Sequence, residues 1–133
     1  MDRERTCSRG RRLTRNFRFQ PIFAALFWAA LLFAFVMAVL PRPPELPGDP
    51  SDKVQHIMAF TALTALALAA FVRAGPVRIG LWLAFFGAVI EAVQAIPALH
   101  RDASALDWLA DCGAVLVVLL IGTPIRRYFR PAP

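Results

Sequence analysis

Residues 22–40 read IFAALFWAALLFAFVMAVL, from Ile22 to Leu40, nineteen residues without a charge that are closed by Pro41. A helix needs about 20 mostly apolar residues to cross a hydrocarbon layer ~30 Å thick, so this stretch is long enough to span a bilayer. Working outward, three further stretches have the same character. Residues 54–72 hold an uncharged run from Ile57 to Val72, closed by Arg73 and the Gly75-Pro76 breaker. Residues 76–96 open on Pro76, where proline suits a first helical turn, and stop before Pro97. Residues 106–125 follow, with Pro124 expected to mark the exit. The expected fold is therefore all-α, a four-helix transmembrane bundle. It occupies residues 22–125 as one domain, with basic tails at 1–21 and 126–133.

Composition excludes the alternatives. Of 133 residues, 58% are hydrophobic, against roughly 45–50% apolar in a soluble domain. Mean hydropathy is +0.54 although the formal net charge is +6. A chain this small has too little core to hide so much apolar side chain, and disordered, collagen-like and disulfide-scaffold classes do not fit either. The basic start followed by an apolar stretch invites comparison with an export signal. The stretch is longer than the ~7–15 residues of such a signal and lacks a small-x-small cleavage site before Pro41. Arg11-Arg12 resembles a twin-arginine start only loosely. An uncleaved first span is expected.

Lys and Arg beside the spans set orientation. Arg3, Arg5, Arg9, Arg11, Arg12, Arg15, Arg18, Arg73, Arg78, Arg126, Arg127 and Arg130 fall on one side, and only Arg42, Lys53 and Arg101 on the other. Both termini are therefore expected in the cytoplasm. The basic tails suit anionic lipid head groups at about 1 kcal/mol per residue. They lack the interleaved aromatics and fold of a nucleic-acid binder, so no nucleic acid is expected. Cys7 and Cys112 lie on opposite sides, so they are not expected to pair.

This topology gathers the remaining polar residues at the outer ends of three spans. His56 begins the second, Glu91 and Gln94 end the third, Arg101 and Asp102 lie in the loop, and Asp107 and Asp111 begin the fourth. Only Asp2 and Glu4 of the nine acids are cytoplasmic. Gly80, Ala84, Gly87, Glu91 and Gln94 share one helical face, as do His56, Phe60, Leu63 and Ala67. Asp107, Asp111, Ala114 and Val118 form a third stripe with Gly113 beside it. Small residues let membrane helices approach closely, so these faces are expected to meet. Ser104 with Asp107, and Asp52 with Gln55, have capping-box spacing. Asp107 also sits where a helix dipole favours a carboxylate. An acid inside a span costs about 2.5–3.5 kcal/mol, and Glu91 needs a partner, for which His56, Lys53, Arg101 and Gln94 are the candidates. The candidate pocket comprises Lys53, His56, Glu91, Gln94, Arg101, Asp107 and Asp111.

Asp52-Lys53-x-x-His56 with Phe60, then Glu91-x-x-Gln94, Arg101, and Asp107-x-x-x-Asp111-x-Gly113, resembles the VanZ-like family over residues 52–122. The family's members are small four-span bacterial membrane proteins. The resemblance implies an inner-membrane location and, for the founding member, a part in resistance to glycopeptide antibiotics such as teicoplanin; for most relatives it implies only a membrane protein with no assigned role. It names no reaction and no cofactor. Asp111 stands where the family usually has Asn.

Three readings follow. The first is a non-enzymatic envelope protein whose outer pocket binds or shields an envelope component, with a charge network locking the bundle as its purely structural counterpart. The second is an enzyme on a lipid-linked envelope substrate, with His56 and Glu91 or Asp107 as acid and base. It has no activated Ser or Cys nucleophile beside the cluster. A metal version would use His56, Glu91, Asp107 and Asp111, a set that suits a divalent cation loosely. The third is a small transporter or proton path, against which stand four short spans without repeats or a broken helix.

Overall fold

A computed structural model of the chain describes residues 3–44, 48 and 50–128, with side chains from residue 19 onward. Arg3 to Arg18, Cys7 and Arg130 carry the expectations about anionic lipid and unpaired thiols, and their side chains lie outside the described residues. Among the described residues four helices make up the bundle: α1 (Arg3–Val39), α2 (Asp52–Ala70), α3 (Pro76–Gln94) and α4 (Ala105–Tyr128), with one 3₁₀ turn at Pro97–Leu99. No strand occurs among the described residues. Each helix contains a window long and apolar enough to cross a membrane, the first beginning at Phe19. The chain is a multi-pass membrane protein.

Gly75 caps α3 in an extended conformation and Pro76 occupies its first turn. There the missing proline N–H has no intrahelical partner to lose. Pro124 behaves differently from expectation. It lies inside α4, which continues to Tyr128. A proline removes its own donor without preventing the next residues from staying helical, and membrane helices tolerate this. The last turn is also held from outside, because Arg126 Nη2 donates to the Ala74 carbonyl at 3.1 Å. Pro21 lies within α1, whose helix starts far ahead of its apolar segment.

α2 is the most buried of the four helices and α1 the least. α2 packs most extensively on α4 and on α1, α3 packs on α4, and lighter α2–α3 and α1–α3 contacts close the bundle. In lipid the driving force for this packing is close contact rather than escape from water. Phe60, Leu63, Ala67, Leu83, Ile90 and Val115 fill the centre. A Cβ at Gly80 would lie 3.0 Å from Leu119 Cδ1, and one at Gly122 would lie 2.5 Å from Leu68 Cδ1. Gly113, expected beside the inward stripe, is exposed with open space around it. The helix rotation that buries Asp111 and Val115 turns position 113 outward.

Candidate functional site

Antiparallel helices bring the C-terminal ends of α1 and α3 beside the N-terminal ends of α2 and α4. The polar residues meet there as several separate partnerships. The deepest joins α2 to α4. His56 Nδ1 lies 3.1 Å from Asp111 Oδ2, and the two residues are 7% and 0% exposed. Phe60 follows one turn along α2, and Gly87 of α3 lies against the pair. A Cβ at Gly87 would stand 3.3 Å from Asp111 Oδ2, 3.3 Å from Phe60 Cζ and 3.2 Å from Trp108 Cδ1. The glycine therefore lets α3 close over the carboxylate. Trp108 secures that approach by donating Nε1–H to the Ala84 carbonyl at 2.9 Å. The second carboxylate oxygen of Asp111, Oδ1, is buried without a hydrogen-bond partner.

Glu91 finds none of the four partners considered from sequence. Its Oε2 accepts the Ser104 backbone N–H at 2.7 Å, while Oε1 is buried without a partner. The first N–H groups of a helix have no intrahelical acceptor and carry partial positive charge. A carboxylate reaching over from α3 satisfies one of them at the start of α4. This corrects the expected Ser104–Asp107 capping box, since Glu91 already occupies the N–H that Asp107 would take. Asp107 Oδ1 instead lies 3.8 Å from Lys53 Nζ, with the lysine half exposed.

The second expected capping box is also absent. Ser51 is the N-cap of α2 and makes no side-chain cap bond. Asp52 turns away to Arg101, whose Nη2 lies 3.0 Å from both carboxylate oxygens. Gln55 Nε2 donates to the Pro50 carbonyl at 2.9 Å. Gln94, 2% exposed, points away from the histidine and donates Nε2–H to the Ala38 carbonyl of α1 at 2.9 Å. It ties α3 to α1 and is not part of the His56 cluster. His100, which is not among the expected pocket residues, adopts a left-handed conformation with φ 50° beside Arg101.

A cavity of about 320 Å³ opens beside this end, between α1 and α2. Ala30, Ala34, Ala59, Ala62 and Leu63 form much of its apolar wall, and His56, Asp52 and Arg101 lie at its polar end. His56 therefore touches Asp111 on one side and the cavity on the other. No group of three His, Cys, Asp or Glu side chains suited to a metal occurs among the described residues.

Changing Glu91 separates bond from charge. Glu91→Ala removes the acceptor at Ser104 and is expected to cost about 0.5–2 kcal/mol, the range for a lost helix cap. Glu91→Gln keeps an acceptor and loses only the dipole interaction, about 0.3–1 kcal/mol. Thermal unfolding of the detergent-solubilised chain should rank them in that order. Equal shifts would mean that the hydrogen bond contributes nothing.

No protein-family model matches the chain, and neither a curated protein nor a solved structure is matched by it.

Proposed function

We propose that this membrane protein is a VanZ-like protein of the bacterial inner membrane, with both termini cytoplasmic and its polar end facing outward. There it receives the polar part of an envelope component, in support of envelope maintenance or glycopeptide resistance. The twelve-to-three distribution of basic residues supports the orientation, and the ordered residues from Asp52 to Gly113 support the family. The observation that carries the reading is the position of His56. It is locked to Asp111 in the bundle and forms part of the wall of a cavity with charged groups at its mouth. A charge network serving only to lock the helices would need no adjoining cavity.

The test has two parts. In a chain with Cys7 and Cys112 replaced by Ser, Arg42→Cys and Arg101→Cys should react with an impermeant maleimide from outside intact cells. Arg130→Cys should react only after permeabilisation. Labelling of position 101 from the cytoplasm alone defeats the outward pocket. His56→Ala should also alter glycopeptide susceptibility or envelope integrity while the protein remains inserted; unchanged cells with normal protein levels would leave the cluster a purely structural role.

A second reading, an enzyme on a lipid-linked substrate, draws on the same pair. A carboxylate at Nδ1 orients an imidazole so that its other nitrogen can exchange a proton. Glu91 is engaged at Ser104, so this reading uses His56 with Asp111 rather than with Glu91.

A further inference from the structure

The cavity between α1 and α2 has a direction. On α2 its wall runs from Asp52 to Leu63, which at 1.5 Å per residue is about 16 Å. That is close to one hydrocarbon leaflet, about half of the ~30 Å core. The charged residues Asp52 and Arg101 stand at the helix-end limit of the wall, Gln55 and His56 follow within about one turn, and alanines, Met58, Phe60 and Ile90 line much of the rest. Two lining residues, Phe33 and Met58, are 65% and 63% exposed on the outer surface of the bundle. The cavity is therefore a groove accessible sideways, from the region that lipid occupies, and its polarity runs in the same sense as a leaflet. Its volume of about 320 Å³ lies at the lower end of the ~300–1,000 Å³ typical of ligand sites, which suits one hydrocarbon chain.

The head-group chemistry follows from Arg101. Asp52 engages only Nη2, and a guanidinium carries five N–H donors in a fork. Nη1 and Nε remain to receive a second anion, and the planar fork matches phosphate. We infer that the groove binds a single-chain lipid with a phosphate head, the chain lying between α1 and α2 and the phosphate on Arg101. This rests on the proposal that the polar end receives an envelope component, and names its chemical class.

The full chain in phosphatidylcholine nanodiscs, photolabelled with a diazirine-bearing lysophosphatidic acid, tests it. Crosslinks should concentrate on α1 and α2 between Ala30 and Ala38 and between Met58 and Leu63. Unlabelled lysophosphatidic acid should compete, whereas monoacylglycerol and inorganic phosphate should not. Arg101→Gln should weaken labelling about tenfold, the equivalent of ~1.4 kcal/mol. Asp52→Asn, which frees the arginine from its rival anion, should strengthen it, an opposite sign that mere loss of structure would not produce. Ala62→Phe, or Met58→Trp at the exposed lip should the first variant fail to fold, should block the chain. Labelling spread evenly over Trp82, Phe85 and Leu116, or equal competition by monoacylglycerol, overturns the inference, as does labelling indifferent to Arg101→Gln. If those results appear while His56→Ala still alters the cells, only the lipid class falls and the envelope role stands.

Discussion

Asp111→Leu is expected to lower the thermal unfolding midpoint of the solubilised protein more than any other single change at the polar end. Asp111 is fully buried and its Oδ2 is the partner of His56 Nδ1. Removing the carboxylate strands an imidazole nitrogen that is buried between α2 and α4. A buried group left unsatisfied costs about 1–3 kcal/mol. Asp111→Asn keeps an acceptor for a neutral histidine and should lose much less. The double substitution His56→Phe with Asp111→Leu replaces both polar partners by apolar side chains, an exchange that is often close to neutral. The double variant should therefore be more stable than the sum of its single effects. Strict additivity would mean that the two residues do not act as a pair.

Gly87→Val should have an effect of comparable size through a different cause. Already a single Cβ at this position meets three neighbours at 3.2–3.3 Å, from Trp108, Asp111 and Phe60. Two of them belong to α4 and one to α2, so no single flexible side chain can move aside to make room. Valine adds two further carbons and forces α3 outward, with the ~1–3 kcal/mol penalty of overpacking. The move also stretches the Trp108 bond to Ala84. Valine at Gly113, which is exposed with nothing within 4 Å, gives the control. A lowered midpoint for Gly87→Val alone is the expected outcome, and equal behaviour of the two variants would refute the close approach of α3.

Much of this arrangement is legible in the residue order. The uncharged run from Ile22 to Leu40, the proline that opens α3 and the helical spacing of His56, Phe60, Leu63 and Ala67 are local properties. Hydrophobic length and 3.6-residue periodicity are enough to read them. All four residues of that α2 stripe are buried. Gly87 is foreseeable as a small residue on an inward face. Which atoms it must accommodate is not.

The pairings at the polar end could not be read the same way. Capping-box spacing in Ser104-x-x-Asp107 is a local signal, and it failed because Glu91, thirteen residues away in sequence, reaches the same N–H. Asp52 failed as a cap for a similar reason, since Arg101 is within reach only after α3 has turned back. Gln94 shares a helical face with Glu91, yet it bonds to α1 and not to the histidine. Each of these outcomes is a competition between one local and one distant partner. Relative helix rotation and approach decide it to within the reach of a side chain, and residues of several helices set both at once.

The sequence by itself thus determined the helices, their number and the end at which the polar residues collect. Apolar length and side-chain periodicity act within one segment and do not depend on neighbours. The tertiary structure alone decided that Asp111 takes His56, that Glu91 caps α4 and that a groove opens between α1 and α2 at the polar end. Those features depend on how far apart two helices stand, and that distance is set by the small and large side chains of both at once.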